Sequence, residues 1–210
     1  MDYLYSALAV VAAYLIGSLS FAVIVSRFAG LSDPRSYGSK NPGATNVLRS
    51  GNKGAAAATL LLDGVKGWVP MALVTWFGKD YGLGDGTLAG VGLAAFLGHL
   101  YPVFFGFKGG KGVATAAGVL FGVHWVLGLA TLATWIIVAF FSRYSSLAAI
   151  ACGLFAPWYY LIGDRTFWYT DKVLTLAIVV MSAFLVYRHQ ENIQKLLKGT
   201  ESKLGARKKV

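Results

Sequence analysis

Long apolar runs alternate with short polar clusters along the chain, and this pattern sets the fold class before any single residue is weighed. Asp2 and Arg27 bracket 24 residues without a charge, Asp85 and Lys108 bracket 22, and Arg143 and Asp164 bracket 20. A bilayer core about 30 Å thick needs roughly 20 apolar residues in helical form, so each run is long enough to cross one. The pattern predicts an all-α polytopic membrane protein, a single domain over 1–210. Its spans are expected at 3–26, 54–77, 87–106, 112–122, 124–142, 145–162 and 172–188, followed by a short basic tail over 189–210. The ambiguous stretch is 112–142, whose 31 uncharged residues fit either one very long helix or two short ones.

Charge decides between them. Seven Lys/Arg follow the last span, five (Arg27, Arg35, Lys40, Arg49, Lys53) follow the first, and Lys108 and Lys111 lie between the third and fourth. Lys/Arg excess marks the cytoplasmic side of a membrane protein. The segment around Lys111 and the tail fall on one side only if 112–142 makes two crossings, turning near Gly122–His124. Seven transmembrane helices follow, with the N-terminus outside and the C-terminus cytoplasmic. The inside then holds fifteen of the nineteen basic residues, and Asp2, Asp80, Asp85, Asp164 and Asp171 gather outside. Span 112–122 is short, so it must tilt, thin the bilayer locally or draw on the loop before it.

Composition adds little beyond this. Charged residues make up 13% of the chain, against about 25% in soluble domains. The net charge of +10 is explained by basic inner loops rather than by nucleic-acid binding. Cys152 is the one cysteine and lies within a span, so no intrachain disulfide can form. The first apolar run is long for a signal peptide and lacks a basic region before it, so it is expected to stay as the first helix. No internal repeat is visible, and an odd helix count argues against the inverted-repeat plan of many transporters.

The chemistry concentrates at the predicted inner face. The first loop, "DPRSYGSKNPGATNVLRSGNKG" (33–54), combines Gly, Asn, Ser and Thr with Arg35 and Arg49, an inventory suited to oxyanions. Residues 107–118 read "FKGGKGVATAAG" and resemble a phosphate loop. A Walker A loop is excluded, because Phe105 stands where the first Gly is needed, Gly112 follows Lys111, and no strand precedes it. Gly109, Gly110 and Gly112 would still let backbone N–H groups approach an anion, a helix is expected to start at about 112, and Lys108 and Lys111 add charge. In "LLLDGVKG", Asp63 and Lys66 share a helical face at membrane depth, where charges are costly. Asp63 reads as an ion-pair partner, and Lys66 as that partner or a ligand contact. His99 reads as a packing residue and His124 as part of an outer turn. Arg143, Ser145 and Ser146 sit at the inner end of the fifth span, with the serines as N-caps or ligand contacts. In "YRHQENIQKLLKGTESK" (187–203), His189 and Asn192 are three apart and predicted to share a helical face, with Glu201 beyond. No metal cluster and no Ser-His-Asp arrangement is visible.

These stretches carry a resemblance. "GSKNPGATNVLR", "GHLYPVFFGFKGGKGVAT" and "RHQENIQKLLKGTESK" resemble the three cytoplasmic motifs of bacterial acyl-phosphate:glycerol-3-phosphate acyltransferases, with further similarity at "GSLSFAVIVSR" and "LLLDGVKG". The resemblance implies a seven-helix inner-membrane enzyme that transfers a fatty acyl group from acyl phosphate to the 1-hydroxyl of glycerol 3-phosphate. The products would be lysophosphatidic acid and phosphate, at the first step of phospholipid synthesis. It implies that Ser39 and Arg49 are essential, that Gly109–Gly112 binds glycerol 3-phosphate, and that His189, Asn192 and Glu201 matter in the third motif. Lys40 stands where the family commonly has Gly, and Ser20 where it commonly has Pro.

On this reading the catalytic set is Ser39, Arg49, Lys111, His189 and Asn192. Arg35, Asn41, Gly43, Thr45, Asn46, Lys66, Lys108, Gly109, Gly110, Gly112, Arg143, Ser145, Ser146 and Glu201 are expected to contact substrate. No cofactor is implied, since acyl phosphate is itself activated, and no obligatory protein partner is evident beyond the bilayer. Either His189 or the phosphate of the donor would act as base. A transporter or channel for a phosphorylated metabolite is the competing class.

Overall fold

The computed structural model describes residues 2–205. The tail positions 206–210, including the basic residues Arg207, Lys208 and Lys209, lie outside the described residues. Regular structure among those described is helical, apart from one β-bridge between Asp164 and Trp168.

Helices α1 (Asp2–Gly17) and α2 (Phe21–Phe28) replace the single span expected over 3–26, and they meet at a 44° bend. Two side-chain contacts occupy the break: the Leu19 carbonyl accepts from Lys66 Nζ at 2.6 Å, and Ser18 Oγ accepts from the Val103 N–H at 3.4 Å. Helix α3 (Ala44–Leu48) is a short turn inside the first loop. Asn52 then caps α4 (Lys53–Phe77), its side-chain oxygen accepting from the Ala55 N–H. Helix α5 (Asp85–Leu100) stops short of the expected limit at 106, because Pro102 lacks an N–H and disfavours helical geometry just before it.

The stretch 112–142 does form two helices, α6 (Val113–Val123) and α7 (Trp125–Ser142), and His124 Nδ1 accepts the Val126 N–H at their junction. Helix α8 covers Ser145–Ile162. Asp171 caps α9 (Lys172–Arg188) by accepting from the Val173 and Leu174 N–H groups. A 55° bend at His189 separates α9 from α10 (Gln190–Leu197), so His189 and Asn192 do not lie on one continuous helix.

Four helical segments, Lys53–Tyr81, Asp85–Phe105, Trp125–Ser142 and Ser145–Ile162, are long and apolar enough to cross a membrane, and the two bent pairs bring the number to six if each is one span. The 11-residue α6 falls below that length and is held against α4 by direct backbone contact. A Cβ at Gly118 would overlap the Gly64 carbonyl, and one at Gly67 would overlap the Thr115 carbonyl. Small residues allow this close approach, which is a principal source of helix association where no hydrophobic drive exists. The core holds Met71, Phe96, Leu120, Leu127 and Ile178, while Leu61, Phe140, Phe141 and Ile162 point outward. Apolar residues on both the inner and outer faces suit a hydrocarbon surround.

The loops sort to two ends. At one, Tyr5 meets Tyr81, Ser6 bonds Thr87, and His124 packs on Trp168. At the other, residues 31–52, 106–112, 143–146 and 188–205 come together, and the polar chemistry lies there.

Candidate active site

The site end is assembled around Lys111, at the start of α6. Gly112, in the left-handed region at φ 82°, is its N-cap, and a Cβ there would run into the Phe96 ring. Gly109 and Gly110 are buried against the end of α5: a Cβ on either would overlap His99, on its carbonyl or its ring. The glycines are therefore needed for close packing of the loop. The expected role in baring N–H groups is already filled at Gly110, whose N–H donates to the His99 carbonyl at 3.2 Å.

Lys111 Nζ donates to Asn192 Oδ1, on α10. Asn192 Nδ2 donates to Glu201 Oε1 at 2.8 Å, and Ser146 Oγ donates to the same oxygen at 2.9 Å. The segment after α10 thus ties α6, α8 and α10 together. It continues through Ser202, whose hydroxyl accepts from Arg49 at 2.8 Å, and through Leu204, whose N–H donates to the Arg143 carbonyl at 2.7 Å. Arg143 holds φ 63° as the C-cap of α7 and reaches the Leu204 carbonyl with its own guanidinium. Neither serine caps α8: Tyr144 is the N-cap residue, and Ser145 shares a 3.2 Å hydrogen bond with Thr45 of the first loop.

Lys111 is half-buried, and burial pulls its ammonium down to about 8, an effect that Glu201 and Glu191 partly oppose. It is charged at neutral pH but incompletely compensated, since its direct partner is a neutral amide. His189 is buried beyond the end of α9, and desolvation together with the Lys111 charge pushes it to about 4, against the support of the Leu185 carbonyl. It is a neutral imidazole at pH 7. A carbonyl can only accept, so Nδ1 at 2.8 Å must donate to Leu185, leaving Nε2 with its lone pair.

The first loop is organised by Asn46, which is buried and fully engaged within the protein. Its Nδ2 donates to the Pro34 and Tyr37 carbonyls, and its Oδ1 accepts from the Ser39 N–H and from Arg49. Asn46 therefore clamps the loop and leaves Ser39 and Arg49 exposed, a correction to its expected substrate contact. Two more corrections follow from charge pairing. Arg35 is bound by Asp33 at 2.6 Å and lies over Phe105, and Asp33 is held below its usual range chiefly by that contact. Lys66 is buried with Asp63 at 2.7 Å and donates to Leu19, below the loop cluster, so it is a fold-holding charge. Lys108 is exposed at the loop edge, Asn41 sits half-buried before Pro42, and Gly43 caps α3 in an extended conformation open to any residue.

Two contacts here escape a reading of the sequence. Arg188, at the end of an apolar helix, reads as an ordinary membrane-flanking charge, yet it donates to both the Gly109 and Gly110 carbonyls. His99 reads as packing alone, but its ring also stands 3.6 Å from Asp63. Both residues fall within stretches that carry the family resemblance, but neither contact can be read from spacing or period.

A family model described as glycerol-3-phosphate acyltransferase matches residues 7–199. A protein of that name from Albidiferax ferrireducens is 65% identical over 192 residues, which is 91% of this chain and 86% of the relative. Another, from Bordetella petrii, is 59% identical over 204 residues, 97% and 95% of the two chains. The fold is similar to crystal structures of PlsY, an integral membrane glycerol 3-phosphate acyltransferase. Its glycerol 3-phosphate form gives a TM-score of 0.86 at 38% identity over 96% of each chain, and its lysophosphatidic acid form gives 0.85 at 37%. Identity of that extent makes this an integral membrane acyltransferase, and the chain belongs to the glycerol-3-phosphate acyltransferase family.

Proposed function

We propose that the enzyme transfers a fatty acyl group from acyl phosphate to the 1-hydroxyl of glycerol 3-phosphate, releasing lysophosphatidic acid and inorganic phosphate. The observation that carries this reading is the undercompensated Lys111, which meets Asn192 and lies at the same end as the exposed Arg49 and Ser39. Both substrates carry phosphates of charge near −2 at neutral pH, so bringing them together requires cations around them. Arg49, Arg143 and Lys111 supply these, and hydroxyls from Ser39, Thr45 and Ser145 with the Asn41 amide supply neutral donors. A site at the end of a bundle of apolar helices suits one lipid and one water-soluble substrate.

In the reaction the 1-hydroxyl oxygen attacks the acyl carbon. The bond from that carbon to the phosphate oxygen breaks, and phosphate leaves with the electron pair. Lys111 stabilises the negative charge that develops. The hydroxyl proton goes to a phosphate oxygen rather than to His189. As the bond to the acyl carbon breaks, the departing phosphate gains negative charge and its oxygens become more basic than an imidazole that burial holds at about 4. His189 Nε2 then serves as a hydrogen-bond acceptor for the 2-hydroxyl of glycerol 3-phosphate, which orients the neighbouring nucleophile. An acyl phosphate is a mixed anhydride, so the step balances without a cofactor.

Seven crossings of the bacterial inner membrane, with the N-terminus outside and the site cytoplasmic, are the topology that fits. The sorting of loops to two ends, the division at His124 and the basic residues at the site end support it. Purified protein given palmitoyl phosphate and labelled glycerol 3-phosphate should form labelled lysophosphatidic acid with equimolar phosphate. Folded protein that forms none, or that uses only palmitoyl-CoA, would overturn the donor assignment. Labelling of a cysteine introduced at Ser202 only from the cytoplasmic side, in spheroplasts and inverted vesicles, tests the orientation.

A further inference from the structure

We infer that Arg188 is a positioning residue that fixes the peptide planes of the Gly109–Gly110 loop and so sets where Lys111 presents its charge; the inference rests on the reaction proposed above. The guanidinium makes three hydrogen bonds to two successive carbonyls: one to Gly109 at 3.0 Å, and two to Gly110 at 3.0 and 3.2 Å. Its ring-side support is Tyr101, 5.8 Å from the guanidinium carbon, and the Tyr101 carbonyl is itself held by the Tyr14 hydroxyl at 2.8 Å. On the opposite side the Gly110 N–H donates to the His99 carbonyl, and the His99 ring packs where a Gly110 side chain would lie.

The consequence is geometric. In a trans peptide the C=O and N–H point in opposite directions. A Gly110 carbonyl pulled to Arg188 therefore turns the Lys111 N–H away from Arg188. The same rotation fixes the Lys111 Cα, and with it the line along which Nζ reaches Asn192. Two glycines in sequence have wide conformational freedom, so the loop needs an external clamp to hold one arrangement. A planar fork bonding adjacent carbonyls is a geometry that a lysine ammonium cannot reproduce. The Arg188 Nε and Nη2 donors are thus taken up within the protein.

The test is the split between KM and kcat. Lys111 is placed both to hold the phosphate of glycerol 3-phosphate from the ground state onward and to stabilise developing charge, so a displaced loop raises KM for glycerol 3-phosphate, and any fall in kcat accompanies that rise. Arg188→Lys should raise KM for glycerol 3-phosphate by about tenfold, the equivalent of one lost charge-assisted hydrogen bond, while KM for palmitoyl phosphate stays within about twofold. Tyr101→Leu removes the support beneath the guanidinium and should move the same KM in the same direction, by about threefold. Wild-type protein in the same assay separates the two claims, since an inactive wild type removes the proposed reaction itself. An active wild type, with folded Arg188→Lys that lowers only kcat or shifts only the palmitoyl phosphate KM, overturns the positioning role. If Arg188→Lys does not fold, Tyr101→Leu decides in its place, and an unchanged KM for glycerol 3-phosphate there overturns the role equally.

Discussion

Lys66 and Lys111 are each followed directly by a glycine and each reach a partner on another helix or loop, yet the structure uses them in opposite ways. Lys66 and Asp63 are only 2% and 4% exposed and stand 2.7 Å apart, with the Leu19 carbonyl completing the ammonium's contacts. Lys111 is half-buried, touches a neutral amide, and has carboxylates only at one remove. A charge fully compensated at membrane depth supports the fold, because removing either partner strands the other. A charge held half-dry with an incomplete partner set is available to an anion from outside. The loss of each should therefore be read by a different instrument: melting for Lys66, kinetics for Lys111.

The largest expected effect falls on Lys111. Lys111→Ala should lower kcat/KM by about 10³-fold, the scale of losing a group that stabilises developing charge, with melting in detergent close to wild type. If Lys66→Met, in its folded fraction, costs as much activity, the contrast between the two lysines fails. Next in size is Asp63→Asn, which leaves the Lys66 ammonium buried without its counter-charge and should cost about 3 kcal/mol of stability. Adding Lys66→Met to that variant should return part of the loss, because a buried neutral amide beside an apolar side chain is cheaper than a stranded charge. A double mutant no more stable than Asp63→Asn alone would show that the pair is not what holds α4 to the α1–α2 break.

The pH dependence sharpens the same comparison. Burial brings Lys111 to about 8, so its charge is present below that value and is lost as pH rises through it. The value of kcat/KM for glycerol 3-phosphate, which reports the free enzyme, should fall about fivefold between pH 8 and 9. Lys111→Arg should remove that limb, since a guanidinium stays charged throughout. A limb that persists unchanged would assign it to another group. On the acid side His189 takes up a proton only near pH 4, so His189→Gln should keep the shape of the acid limb. It should lose at most about tenfold in rate, short of the 10²–10⁴ that removal of a general base costs. Disappearance of the acid limb would make His189 the base.

Several features of this architecture can be read from the sequence because they follow from one-dimensional rules. Uncharged run length locates most of the helices, and the distribution of Lys and Arg divides 112–142 into α6 and α7. Pro102 lies inside the span expected over 87–106, and its missing N–H is a local fact that run length alone passes over, so α5 ends earlier than expected. The break at Ser18–Ser20 is not legible in this way, because what stabilises the freed Leu19 carbonyl is Lys66, 47 positions away. The site divides in the same manner. Motif residues such as Lys111, Asn192 and Glu201 do meet, but which polar groups bind ligand and which bind the protein depends on partners brought in by folding. Arg35, Asn46 and Lys66 look like ligand contacts until Asp33, the Pro34 carbonyl and Asp63 are seen to hold them. Arg188 errs the other way: it opens the third motif, yet its place at the end of an apolar helix reads as a flanking charge.

A third lysine gives the smallest and most local test. The φ of Lys40, 57°, lies in the left-handed region that disfavours a side chain. A Cβ there costs about 1 kcal/mol. Glycine would remove that cost but add freedom to the unfolded chain, worth about 0.5–1 kcal/mol in the other direction. Lys40→Gly should therefore be neutral or stabilising by no more than about 0.5 kcal/mol, a rise in melting temperature of about 1–2 °C. Lys40 is exposed, and no contact with the Lys111 network is among those seen for it. On the reasoning that divides Lys66 from Lys111, a fully solvated ammonium contributes neither to the fold nor to a desolvated phosphate site. KM for glycerol 3-phosphate should stay within about twofold of wild type at moderate salt. A KM raised as far as by Arg188→Lys would instead mean that the Lys40 ammonium folds over the substrate, making exposure in the free protein a poor guide to which lysines bind it.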